Sequence, residues 1–156
     1  GKKLVPSKEE VEDALSQYIV YNLSACLNDF KDFSFEITSG EAKVETNLGK
    51  GAVSVKLNLP LEINLPNKKI NLDTFQIVQN SPSYLLWETS EKMADSIVQY
   101  NGGVCLDCLN ELAEKNKFDL QIVAFNKNET FFILSSEKKT AGKNASLDWR
   151  FAVKYG

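Results

Sequence analysis

The sequence predicts an α+β fold in which an antiparallel meander sheet packs against an N-terminal helix and a central helix pair, in the order α-β-β-β-α-α-β-β-β. Three observations carry that prediction. A capping box opens a long amphipathic stretch near the N-terminus. The hydrophobic period then falls from 3.6 to 2 between Phe33 and Val78. It returns to 3.6 after Ser81 and alternates again toward the C-terminus. Turns between neighbouring strands are short enough for antiparallel pairing, unlike the strand-helix alternation of α/β proteins. The 156 residues read as a single α+β domain with residues 1–6 as a flexible tail. One curved sheet wrapped on the helices and two smaller sheets both fit; the length of the apolar faces favours the single sheet, because such faces need a shared cover.

Ser7-Lys8-Glu9-Glu10 fits the capping box that starts the first helix, over residues 8–28. At 100° per residue, Val11, Leu15, Tyr18, Ile19, Ala25, Cys26 and Phe30 project to one side, and Ser16 and Gln17 to the other. Phe33, Phe35 and Ile37 then alternate, followed by Ala42, Val44, Thr46 and Leu48, with Gly49-Lys50-Gly51 as a hairpin turn. The clearest signal spans residues 53–65, where every odd position is apolar and Ser54, Lys56, Asn58, Pro60, Glu62 and Asn64 lie between. Such a strand would reach roughly 43 Å, so a bend or bulge is expected at Pro60, whose missing N–H does not suit a central ladder. The run from Ile70 to Val78 changes phase between Leu72 and Phe75, which predicts a bulge near Asp73.

Ser81-Pro82 is a helix entry, and Leu86, Met93, Ile97 and Tyr100 form the inner stripe of the helix it opens. Gly102-Gly103 ends that helix. Cys105, Cys108, Leu109 and Leu112 then mark a third helix over residues 104–116. Three strands close the chain: residues 120–125; the run Phe131-Phe132-Ile133-Leu134, read as buried on both faces; and a last strand with Leu147, Trp149, Phe151, Val153 and Tyr155 on one side.

Composition excludes several function classes. Histidine is absent, which removes the commonest general base and metal ligand, so no catalytic constellation and no metal or cofactor site is expected. Arg150 is the sole arginine among 18 basic residues, and the net charge is −3, a poor basis for phosphate recognition. Nucleic acid is therefore not an expected partner. The glycine pairs lack the strand-loop-helix context of a nucleotide site.

Three cysteines admit three readings: buried thiols; a structural disulfide joining Cys26 to Cys105 or Cys108, or Cys105 to Cys108; and a dithiol oxidoreductase built on Cys105-Leu106-Asp107-Cys108. In the last, the helix start would lower the first thiol's pKa. That motif follows a helix rather than a strand, against the redox reading. Asn22 falls on the inward stripe, where its amide either bonds within the core or sits on the floor of a pocket with Trp87 and Tyr100. N-x-[ST] sequons occur at Asn22, Asn128 and Asn144; Asn128 falls in an expected turn and Asn144 in an expected loop, where an acceptor would be accessible.

Cys26-Leu27-Asn28-Asp29-Phe30, Gly40-Glu41-Ala42-Lys43-Val44, the strand of residues 53–61 containing Pro60-Leu61, and the closing Phe151-Ala152-Val153-Lys154-Tyr155 resemble a group of uncharacterised archaeal membrane-anchored surface proteins. In those, a helix ending in Cys-Leu-x-x-Phe precedes a β-meander with a Pro-Leu strand. The resemblance spans most of the chain and implies an ectodomain without known activity, held on a membrane by an anchor absent from this chain. The expectation is a non-enzymatic, extracytoplasmic interaction or assembly module with a protein partner. The element order also resembles the PAS-like extracellular ligand-sensing type, which would need a pocket between sheet and helices.

Overall fold

The structure, a computed structural model, describes residues 2–99, 104–126, 129–140 and 143–154. It is α+β, every strand pair is antiparallel, and the long elements follow the expected order. The chain divides into two compact units, Ser7–Asn80 and a second made of the residues from Ser81 onward with the N-terminal segment up to Pro6. The strands form two four-stranded sheets, so the single shared sheet expected from the apolar runs is replaced by two. Sequence-adjacent hairpins satisfy most of the backbone donors and acceptors within each half, so neither sheet needs strands from the other.

In the first unit, α1 (Lys8–Leu27) starts at Ser7, whose hydroxyl accepts the Glu10 N–H at 3.1 Å while the Ser7 N–H donates to Glu10 Oε2 at 2.7 Å. A 3-10 turn, Asn28–Phe30, ends it. Strands β2 (Glu36–Ser39) and β3 (Lys43–Leu48) both pair with β4 (Ala52–Leu65), which pairs in turn with β5 (Lys68–Asn80). At 14 residues β4 is unusually long. It is relieved in the middle: the β4–β5 register changes between Asn58↔Thr74 and Leu61↔Leu72, so Leu59 and Pro60 together oppose Asp73. The bulge expected at Pro60 and the one expected near Asp73 are thus the two sides of a single irregularity. Pro60 turns its carbonyl toward the gap between β2 and β3, where it accepts the Gly40 N–H at 2.8 Å. Its absent donor therefore falls where that ladder is already broken.

The second unit carries α2 (Ser83–Gln99), α3 (Leu106–Lys115), β6 (Asp119–Asn126), β7 (Glu129–Thr140) and β8 (Lys143–Lys154). At the start of α2 the Ser81 hydroxyl accepts the Ser83 N–H at 3.3 Å, and the Pro82 carbonyl accepts the Leu86 N–H at 2.9 Å. Lys2–Leu4, expected as a flexible tail, instead form strand β1 along β8, giving the sheet order β1-β8-β7-β6. Residues Leu86, Met93, Ala94 and Ile97 of α2 and Leu109 and Ala113 of α3 bury against Phe132, Leu134, Phe151 and Val153. Phe132 and Phe151 are direct cross-strand partners whose rings stack with centroids 5.0 Å apart. The run from Phe131 to Leu134 is not buried on both faces: Phe132 and Leu134 face the core, and Phe131 is exposed. The helices cover one side of this sheet only. Gly102, Gly103 and Tyr155 lie outside the described residues.

Candidate functional site

A polar seam decides which part of the first unit's sheet is covered. Glu12 Oε1 accepts the Leu48 N–H at 2.7 Å and the Lys8 ammonium at 2.6 Å. One turn on, the Ser16 hydroxyl accepts the Thr46 N–H at 3.0 Å and lies 2.9 Å from Thr46 Oγ1. Partial burial pushes the Glu12 carboxyl up, but hydrogen bonds from Lys8 and Leu48 and the Lys8 charge outweigh it and hold the group below its ordinary value. The helical projection put Ser16 outward and Tyr18, Ala25 and Cys26 inward. The structure reverses this: Ser16 meets β3, Tyr18 is 67% exposed, and Ala25 and Cys26 are exposed. Glu12 and Ser16 stand at i and i+4 on the flank of Val11, Leu15 and Ile19. Their spacing was the available signal, but acidic residues in a first helical turn are favourable for the dipole alone and mask it.

Cross-strand register shows what this seam leaves open. Thr46, Val55 and Ile77 stand opposite one another on β3, β4 and β5, as do Val44, Leu57 and Phe75. Directly opposed residues share a face, so α1, which bonds the Thr46 side chain, lies on the face that carries Ile77 and Phe75. It covers the β3 column, where Leu48 is buried, but not the β5 column. Ile77 is 60% exposed and Phe75 37%. Val78, on the opposite face, is 61% exposed, and Leu72, beyond the bulge, 44%. Among the described residues β5 pairs only with β4, so no strand lies along its outer edge. From Thr74 to Asn80 that edge contains no charge, proline or glycine, the usual devices that blunt an exposed strand.

A second feature of the same unit is a cleft of about 450 Å³ between the C-terminal half of α1 and the β2 region. Leu23, Leu27, Ile37 and Leu59 give it apolar walls, and Ser24 and Asp29 add polar groups. Its rim includes a backbone segment in which Asn28, Asp29 and Phe30 have φ of 47°, 49° and 59°. Three successive non-glycine residues in the left-handed region cost roughly 1–2 kcal/mol each. Asp29 also forms an exposed ion pair with Lys31 at 3.3 Å.

The other expected site residues separate. Cys105 and Cys108 are joined by a disulfide at the start of α3, where Cys105 Sγ also accepts the Cys108 N–H. Cys26 is a free, exposed thiol, so it neither faces inward nor joins either of them. The Asn22 side chain donates to the Tyr18 carbonyl of its own helix at 2.8 Å, the bland outcome for a helical amide. Trp87 belongs to the second unit, where its indole N–H donates to the Pro6 carbonyl at 2.9 Å and its ring packs 5.6 Å from Tyr84. Its polar atom thus ties down the N-terminal segment. Tyr100 and Asn128 lie outside the described residues. Asn144, expected in a loop, stands in β8 opposite Lys139. Among the described residues no group of three or more Cys, Asp or Glu could hold a metal ion, and no helix is long and apolar enough to cross a membrane. Compared with protein-family models, curated proteins and solved structures, the chain matches none.

Proposed function

We propose that this chain is a non-enzymatic, extracytoplasmic interaction module of a membrane-anchored protein, and that it engages a protein partner through β5. The observation that carries this reading is the open strand: thirteen residues with no described strand along the outer edge and four exposed apolar side chains, Leu72, Phe75, Ile77 and Val78. Exposed apolar surface on an unblunted edge is a template for strand addition, in which main-chain hydrogen bonds supply affinity and alternate side chains supply selectivity. The Cys105–Cys108 disulfide supports an oxidising compartment. Placing a photo-crosslinking residue at position 77, in cells that make the protein, should give discrete protein adducts; the same residue at exposed Lys92 on α2 should not. Equal labelling at both positions, or none at 77, would overturn the proposal.

The cleft beside α1 favours a second reading, a ligand-binding role for the first unit. Its volume lies in the range of small-molecule sites. A small-metabolite thermal-shift screen tests it, since a ligand selective for the native state raises apparent stability. Absence of any shift sensitive to Leu27→Trp, which would fill the cleft, would end that reading. The dithiol reading makes a different demand: alkylation of the native protein should label both Cys105 and Cys108 readily under mild reductant. With the disulfide structural, mass measurement before reduction shows one labelled thiol, that of Cys26.

A further inference from the structure

We infer that the strand received by β5 is the β5 of a second copy, the two chains pairing antiparallel about a two-fold axis at Gln76. This rests on β5 being a docking edge and adds the identity and register of its partner. The argument starts from the distribution of charge. Lys68, Lys69 and Asp73 are the charged residues of β5, and all lie in its first half. An antiparallel pairing centred on Asp73 would oppose two carboxylates. Centring on Thr74 sets Asp73 against Phe75, and centring on Phe75 sets it against Ile77. Axes at Asn71 and Leu72 do give Asp73 a polar partner, Lys69 and Asn71 respectively, but leave exposed Ile77 and Val78 outside the overlap; the axis at Gln76 gives it Gln79, keeps Phe75, Ile77 and Val78 inside and leaves both lysines outside.

In that register residues 73–79 of each chain pair, and Phe75 stands opposite Ile77 twice, an aromatic against a β-branched side chain on the same face. Both are exposed in the single chain. The two-fold axis is perpendicular to the sheet, so it keeps that face on one side. The row Thr46-Val55-Ile77 then continues into the partner's Phe75-Leu57-Val44. The joined edges satisfy one another's outward N–H and C=O groups. Seven residues a side is well below the 20–30 of a standard interface, so the dimer is expected to be weak, with Kd in the range of about 10–100 µM.

Sedimentation of the whole chain from about 5 to 500 µM, in a Cys26→Ser background that removes the free thiol, should show a reversible monomer-dimer equilibrium. Gln76 is exposed and meets itself across the axis, so its variants report the register. Gln76→Lys alone and Gln76→Glu alone each oppose like charges and should weaken dimerisation by roughly fivefold. An equimolar mixture of the two should restore it. Gln76→Lys also sets an ammonium beside Lys56 of its own sheet, so its unfolding midpoint is measured alongside. Gln76→Cys should form a disulfide-linked dimer under mild oxidation, because opposed Cα atoms in an antiparallel pair lie about 4.5–5.5 Å apart. A mixture no tighter than its separate components, or a Gln76→Cys chain that does not cross-link, overturns the inference. A monomer throughout the range also overturns it. If that monomer still gives adducts at position 77, the interaction reading stands without self-pairing; if it gives none, both fall.

Discussion

The two units use their hydrophobic residues in opposite ways. In the unit from Ser81 onward, two helices lay continuous stripes on one sheet face and eleven described residues form a closed core. In Ser7–Asn80 the alternation is cleaner in sequence, yet the buried apolar residues are only Val11, Leu48, Leu59 and Leu61. The difference lies in what meets the sheet. α2 and α3 present Leu86, Met93, Ile97 and Leu109 to theirs, whereas α1 meets β3 through Glu12 and Ser16 and buries a single apolar side chain, Val11. Period-2 alternation specifies a strand with unlike faces; it does not specify the cover.

The sharpest way to break this contrast is to truncate each core. Phe132 is fully buried and stacked on Phe151, so Phe132→Ala should cost about 3–5 kcal/mol, read as a fall in the denaturant midpoint. A loss below 1 kcal/mol would mean that this core is not closed. Leu48→Ala, at the best-buried position of the first unit, should cost about 2–4 kcal/mol. Its effect should be the smaller of the two, because a sparsely covered site collapses more readily around the vacancy.

Most of the architecture was legible in local pattern. The Ser7 capping box, the Ser81-Pro82 entry, the turn after Leu48 and the phase shift near Asp73 are all short-range signals, and each appears where its chemistry puts it. The number of sheets was not legible, because it depends on which hairpins share an edge, and alternation is silent on that. The β1 strand was missed for the same reason: three residues carry too little pattern, and their pairing comes from β8. The site was less legible than the fold. A projection at 100° per residue ranks side chains by apolarity, so it sent Tyr18 and Cys26 inward and Ser16 outward. The helix in fact docks through two polar groups that satisfy the N–H donors of Thr46 and Leu48.

That seam gives the first unit a pH dependence. The Glu12 carboxyl is held below its ordinary value, so the native state favours the ionised form more than the unfolded chain does. The stability it contributes is complete above the unfolded pKa, about 4.3, and is lost as pH falls through the lower native value. Glu12→Gln keeps an acceptor for the Leu48 N–H but loses the charge that Lys8 meets, and should cost about 1 kcal/mol at pH 7. The gap between variant and parent should close as pH falls through the lowered native value of that carboxyl. A constant difference between pH 3 and 7 would show that the carboxylate charge contributes nothing.

The smallest effect is expected where the contrast is most exposed. Ile77 is the kind of residue that occupies cores, and it lies in a row with Val55 and Thr46, yet 60% of it is open. Ile77→Ser should therefore change the stability of the monomer by no more than about 0.5 kcal/mol. The small cost that remains comes from the lower strand propensity of serine. Measured well below the concentration at which chains associate, a loss of 2 kcal/mol or more would mean that something in the chain itself covers the β5 column. The open edge would then be core, and the argument that it serves a partner would fail at its first step.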